Sequence, residues 1–75
     1  MAENLAYHYA EIEDATGMCV GVVDSSNPNL AGPTGGGTTY VAIPIDDPDY
    51  LLKYYINGNW YEDAEGTIPW TSSLL

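Results

Sequence analysis

The chain has 75 residues and carries eleven Asp and Glu against one Lys, a formal net charge of −10 at pH 7. That balance leaves too few cations to neutralise nucleic-acid phosphates, and it gives no attraction to an anionic membrane surface. Basic proteins and cations are the partners such a charge attracts, and the acidity also keeps a small chain with seven Tyr and two Trp in solution.

One domain spanning 1–75 is expected. The opening residues Met1 to Leu5 lack the basic stretch and apolar run of a secretory leader. No run approaches the ~18 apolar residues of a membrane span. Synthesis in the cytoplasm without bilayer insertion is therefore expected. Tyr7 to Ile12 is the first strand, with Tyr7, Tyr9 and Glu11 on one face and His8, Ala10 and Ile12 on the other. Glu13 to Gly17 is a turn, and Met18 to Val23 is a second strand. Its nearly continuous apolar run implies burial on both faces or a close neighbour at Gly21.

The segment from Asp24 to Thr38 reads as a loop whose glycine-rich part, 31–38, is a flexible tip. The glycines are not followed by Lys-Ser or Lys-Thr, so they do not make a phosphate-binding loop. Thr39 to Ile43 is the third strand, closed by Pro44. Within Asp46 to Leu52, a short helical turn near 47–52 is predicted, with Asp46 or Asp47 as cap and Pro48 in the first turn.

The strongest local signal is Lys53 to Glu62. Asn57-Gly58 sits between two aromatic runs, and a two-residue type I′ turn needs φ > 0 at both of its central positions. The register then pairs Ile56 with Asn59, Tyr55 with Trp60, Tyr54 with Tyr61 and Lys53 with Glu62. Asp63 to Gly66 is an acidic turn expected in solvent. Thr67 to Trp70 is extended and lays Trp70 on the sheet, and 71–75 is a short tail, frayed or docked on a neighbour. The fold class that results is all-β: an antiparallel meander of about five strands, as an open sheet or a small barrel-like sandwich.

Constellations for chemistry are sparse. Cys19 is the only cysteine, which excludes an intrachain disulfide, and one His with one Cys excludes a zinc site of the Cys/His type. His8 is the one classical general base, but Cys19 lies in an apolar strand where its thiol is hard to ionise. Asp46, Asp47 and Asp49 lack the spacing of a calcium loop. No catalytic residue, metal site or cofactor is expected. The excess is aromatic: Tyr54, Tyr55, Trp60, Tyr61 and Trp70 exceed what so small a core can hide, and Tyr and Trp are favoured anchors at protein interfaces. A carbohydrate platform ranks behind a protein interface. A domain this short buries only about 60% of its unfolded surface, so support from oligomerisation or a larger assembly is expected.

Three stretches together resemble a class of short bacteriophage virion proteins. Tyr7-His8-Tyr9-Ala10-Glu11-Ile12 through Gly17-Met18-Cys19-Val20-Gly21-Val22 is similar to their "YYAEI…G.CVGV" opening. Ile43-Pro44-Ile45-Asp46 leading to Lys53-Tyr54-Tyr55 is similar to "IPI…YDxSLLGKYY". Ile56 to Tyr61 and Asp63 to Trp70 resemble the "NGxWYED" close. The resemblance covers most of the chain except the insertion around Gly32 to Gly37, and its motifs are structural. It implies a non-enzymatic structural protein of the virion, made in the host cytoplasm and present as a homo-oligomer or in multiple copies. Its partners are then other virion proteins of a tail, fibre or capsid, with neither nucleic acid nor membrane bound. The alternative is an acidic inhibitor that mimics nucleic acid. Such a mimic needs carboxylates arrayed on one face, whereas these gather in separate turns.

Overall fold

The computed structural model describes residues 7–75. Strands β1 (Tyr7–Glu13), β2 (Cys19–Ser25), β3 (Gly32–Pro33) and β4 (Thr38–Ile43) make a four-stranded sheet. Strands β5 (Tyr54–Ile56) and β6 (Asn59–Tyr61) make a two-stranded one. Every strand pair is antiparallel, as the all-β expectation required. The order of the larger sheet is β2-β1-β4-β3, which is not a sequential meander. After β2 the connection from Ser26 to Gly37 carries the chain across to the far side of β1. A two-residue hairpin would have forced β4 against β2, but this connection is long enough to cross the ~5 Å strand spacings. β1 is consequently the central strand, and Tyr9, Ala10 and Ile12 on it are buried.

The core lies on the β1 face that carries Ala10 and Ile12. Cys19, Ile43 and Tyr50 complete it, with Val22, Val41, Ile45, Tyr55, Trp60 and Trp70 packed around them. Cys19 and Val22 are three residues apart and would face opposite ways in a regular strand. A bulge resolves this: Glu11 pairs with Gly21 and Ile12 with Cys19, which leaves Val20 as the extra residue, 42% exposed. The continuous apolar run therefore marks a bulge. The close neighbour at Gly21 is real too, since a Cβ there would stand 3.4 Å from Glu11 Oε1. On the reverse face Tyr9 is covered by the loop after β2. Its hydroxyl donates to the Asn27 carbonyl at 2.6 Å, and its ring meets Tyr40 edge-on at 6.4 Å.

The glycine-rich stretch is more ordered than a free tip. Gly32 and Pro33 pair with Tyr40 and Thr39. The Thr34 amide donates to Thr38 O at 3.0 Å, closing the glycines into a turn. The helical segment is shorter than 47–52, a single 3-10 turn at Pro48–Tyr50. Asp47 caps it by accepting from the Asp49 amide at 2.9 Å. It stops because Leu51 is extended (ψ 134°) and Leu52 takes φ 70°. That swing lets the next residues reach β2: the Leu52 amide donates to Cys19 O, the Cys19 amide to Lys53 O and the Tyr55 amide to Gly17 O, at 2.8–2.9 Å.

The Asn57-Gly58 hairpin has the expected register at Tyr54–Tyr61, Tyr55–Trp60 and Ile56–Asn59, but the ladder does not extend to Lys53 and Glu62; φ is 51° and 84° at the two turn residues. The segment after it adds a further antiparallel bridge, Tyr61 to Pro69. There the Trp70 amide donates to Trp60 O at 3.0 Å. The tail is fastened to its own domain: Ser72 is buried and its hydroxyl donates to the buried Asp47 carboxylate.

Candidate functional site

The aromatic residues singled out by the sequence divide between the two faces of the hairpin. Tyr55 and Trp60 sit opposite each other with ring centroids 5.1 Å apart. Trp60 turns toward Tyr50, which is 2% exposed, and Tyr55 packs against the same core cluster. Trp60 and Trp70 each meet the Tyr50 ring edge-on at 4.8 Å, and they lie 6.5 Å from one another. Such pairs add about 0.5–1.5 kcal/mol each beyond area burial. The single cation also joins this cluster, since Lys53 Nζ lies 5.0 Å over the Trp70 ring. Sequence reasoning set Lys53 against Glu62; the cation–π contact is what the structure gives it.

Tyr54 and Tyr61 pair on the other face and remain half-buried. Ile56 shares that face. Gly66 lies close beneath: a Cβ there would stand 3.2 Å from Ile56 Cδ1 and 3.7 Å from the Tyr61 ring. Tyr55, Trp60 and Trp70 therefore spend part of their surface holding the hairpin to the domain, and Tyr54 and Tyr61 present a separate flank. A cleft of about 270 Å³ opens beside the Trp pair, lined by Pro44, Asn59, Trp60, Trp70, Thr71 and Leu75 among others. Further apolar side chains stand out in solvent: Leu51, Leu52, Ile68, Leu74 and Leu75.

Two features of this region carried no sequence signal. Tyr50 looked like one residue of a helical turn, yet it is the hub of the cluster. For Asp47 the sequence offers a capping role and no sign of burial. It does cap, but it is buried and also receives Ser72, a contact across 25 positions that no local pattern reveals. Burial, and then the Asp47 charge, raise the Tyr50 phenol above its ordinary value.

Outside this region His8 pairs with Asp24, and Cys19 is buried. His8 Nδ1 and Asp24 Oδ1 are 2.8 Å apart across the β1–β2 pair. The His8 hydrogen bond holds Asp24 below the usual carboxylate value, and the hydrogen bond to Asp24 raises Asp46. Cys19 is in the core, its thiol donating to Gly21 O at 3.2 Å, and burial raises its pKa. Among the described residues no three His, Cys, Asp or Glu side chains form a group that could hold a metal ion. No helix of the described residues is long and apolar enough to cross a membrane. No family model, curated protein or solved structure matches the chain.

Proposed function

We propose that this chain is a non-enzymatic bacteriophage virion structural protein that docks on a larger tail, fibre or capsid component through the hairpin and its aromatic surroundings. The observation that carries the reading is how little of the domain is enclosed. It extends 44 × 30 × 16 Å, and its buried apolar core is Tyr9, Ala10, Ile12, Cys19, Ile43 and Tyr50. Meanwhile the hairpin aromatics stay half-buried, and leucines and an isoleucine around them stand in solvent. Exposed apolar surface of that kind favours a partner, and a partner supplies the burial a short chain lacks. The resemblance of the β1–β2 and hairpin motifs to short virion proteins gives the partner its class. Tyr54, Tyr55, Trp60, Tyr61 and Trp70 are the anchors, and the partner supplies the cations that face Glu62 or Asp63.

The test is mass spectrometry of gradient-purified particles from cells that produce the protein, with light scattering on the isolated chain. The expected result is a fixed copy ratio to the major virion protein. A chain missing from mature particles, and a stable monomer in isolation, would overturn the proposal.

A further inference from the structure

The outer edge of β2 is half used. Its first residue is paired: Cys19 exchanges backbone hydrogen bonds with Leu52 and Lys53. At Leu52 the φ of 70° turns the chain off the edge and down into the 3-10 turn. Beyond that point no backbone hydrogen bond among the described residues reaches the outer side of Gly21 to Ser25. In an antiparallel strand alternate residues turn their N–H and C=O groups away from the neighbour already paired, so this stretch offers a ready ladder.

Carboxylates border the ladder on both faces. On the core face stands Asp24, with Asp46 beside it. On the reverse face Gly21 has no side chain, and Glu11 leans over it from β1, with Oε1 3.4 Å from where a Cβ would be. The other Glu11 oxygen accepts from the Thr38 hydroxyl at 2.8 Å, which holds the carboxylate in place. A strand laid along this edge would bring its own side chains beside these groups on each face in turn. The chain has no Lys or Arg to spare for them, because its one Lys lies over Trp70, and its one basic contact here is His8, 2.8 Å from Asp24. A second copy would add ten more net negative charges.

From this arrangement we infer that Gly21 to Ser25 accepts an extended, lysine- or arginine-bearing segment of another protein as an added antiparallel strand. Main-chain hydrogen bonds supply the attachment and the flanking carboxylates supply the selection. The inference is independent of the hairpin surface and does not require the partner to be a virion protein.

The test uses the full-length ¹⁵N-labelled chain and a capped seven-residue peptide of alternating valine and lysine. Two control peptides accompany it, one with glutamate in place of every lysine and one methylated on alternate backbone nitrogens. The expected result is saturable amide shift changes and slowed amide exchange centred on Gly21 to Ser25. Affinity for each control peptide should fall by about tenfold or more, as should affinity for the lysine peptide on going from low to high salt. Glu11→Gln keeps an acceptor for the Thr38 hydroxyl and should weaken the lysine peptide several-fold. The inference is overturned by an absence of saturable binding, by equal affinity for the methylated peptide, or by shift changes centred on Tyr54 to Trp70. It is equally overturned if the free protein dimerises in sedimentation with concentration-dependent shifts along β2, since a second copy would then hold the edge.

Discussion

Replacing Tyr50 with Ala tests whether one ring organises the aromatic surface. The side chain is almost wholly enclosed and meets both Trp60 and Trp70 edge-on at 4.8 Å. Truncating a buried aromatic costs about 3–5 kcal/mol, of which the two ring pairs account for roughly 1–3. At roughly 0.05–0.15 kcal/mol per residue, a 75-residue domain holds about 4–11 kcal/mol in all. Tyr50→Ala should therefore leave the domain marginal or unfolded at 25 °C. Tyr50→Phe, which keeps the ring and both edge contacts, should lose less than about 1.5 kcal/mol. Urea titration followed by tryptophan fluorescence suits the question, because both indoles lie against the ring being removed. A loss under about 1 kcal/mol for the alanine variant, at unchanged m-value, would refute the hub role.

Gly58→Val places a β-branched residue at φ 84° and should cost about 1–3 kcal/mol in thermal or urea unfolding; an unchanged midpoint would contradict the turn geometry. Ser72→Ala leaves the buried Asp47 carboxylate short of a donor and should cost about 1–3 kcal/mol, with amide exchange of residues 72–75 speeding up first. The acid limb of stability should lean on Asp63, whose carboxylate is held below its ordinary value chiefly by the Thr67 hydroxyl and then by the Ile68 amide. Its folded-state pKa is depressed, so its contribution is present above about pH 4 and is lost as pH falls through the folded value. Asp24, also depressed, acts in the same sense, whereas Asp46, raised, acts in the opposite one. Asp63→Asn should flatten the loss of stability below about pH 4; an unaltered acid profile would show that the turn is not held by this carboxylate.

How much the sequence disclosed depended on the range of the interaction. The Asn57-Gly58 turn, its register and the Asp47-Pro48 cap are decided by adjacent residues, and all of them were legible. The β1 and β2 strands were legible too, but the bulge at Val20 was not, because an apolar run hides which residue is the extra one. The position of β4 beside β1 is set by packing across more than twenty residues and leaves no local trace. The same holds for the site. Tyr55, Trp60 and Trp70 were identified as a group by composition and hairpin register. Their partition between holding the fold and facing outward depends on Tyr50 and Lys53, whose placement is tertiary.

The central position of β1 has a consequence for how the chain comes into being. β1 leaves the ribosome ahead of both strands it pairs with, yet its second neighbour, β4, begins only at Thr38, and the Asp47 latch waits for Ser72. During synthesis at about 5–20 residues per second, the β1–β2 hairpin spends seconds with one side of its central strand bare. Folding is thus weighted toward late, non-local closure, which is slow for a chain of this length and exposes an apolar strand to neighbouring nascent chains. Eleven carboxylates spread along the sequence give those unfinished chains a mutual repulsion at the stage when they most need it.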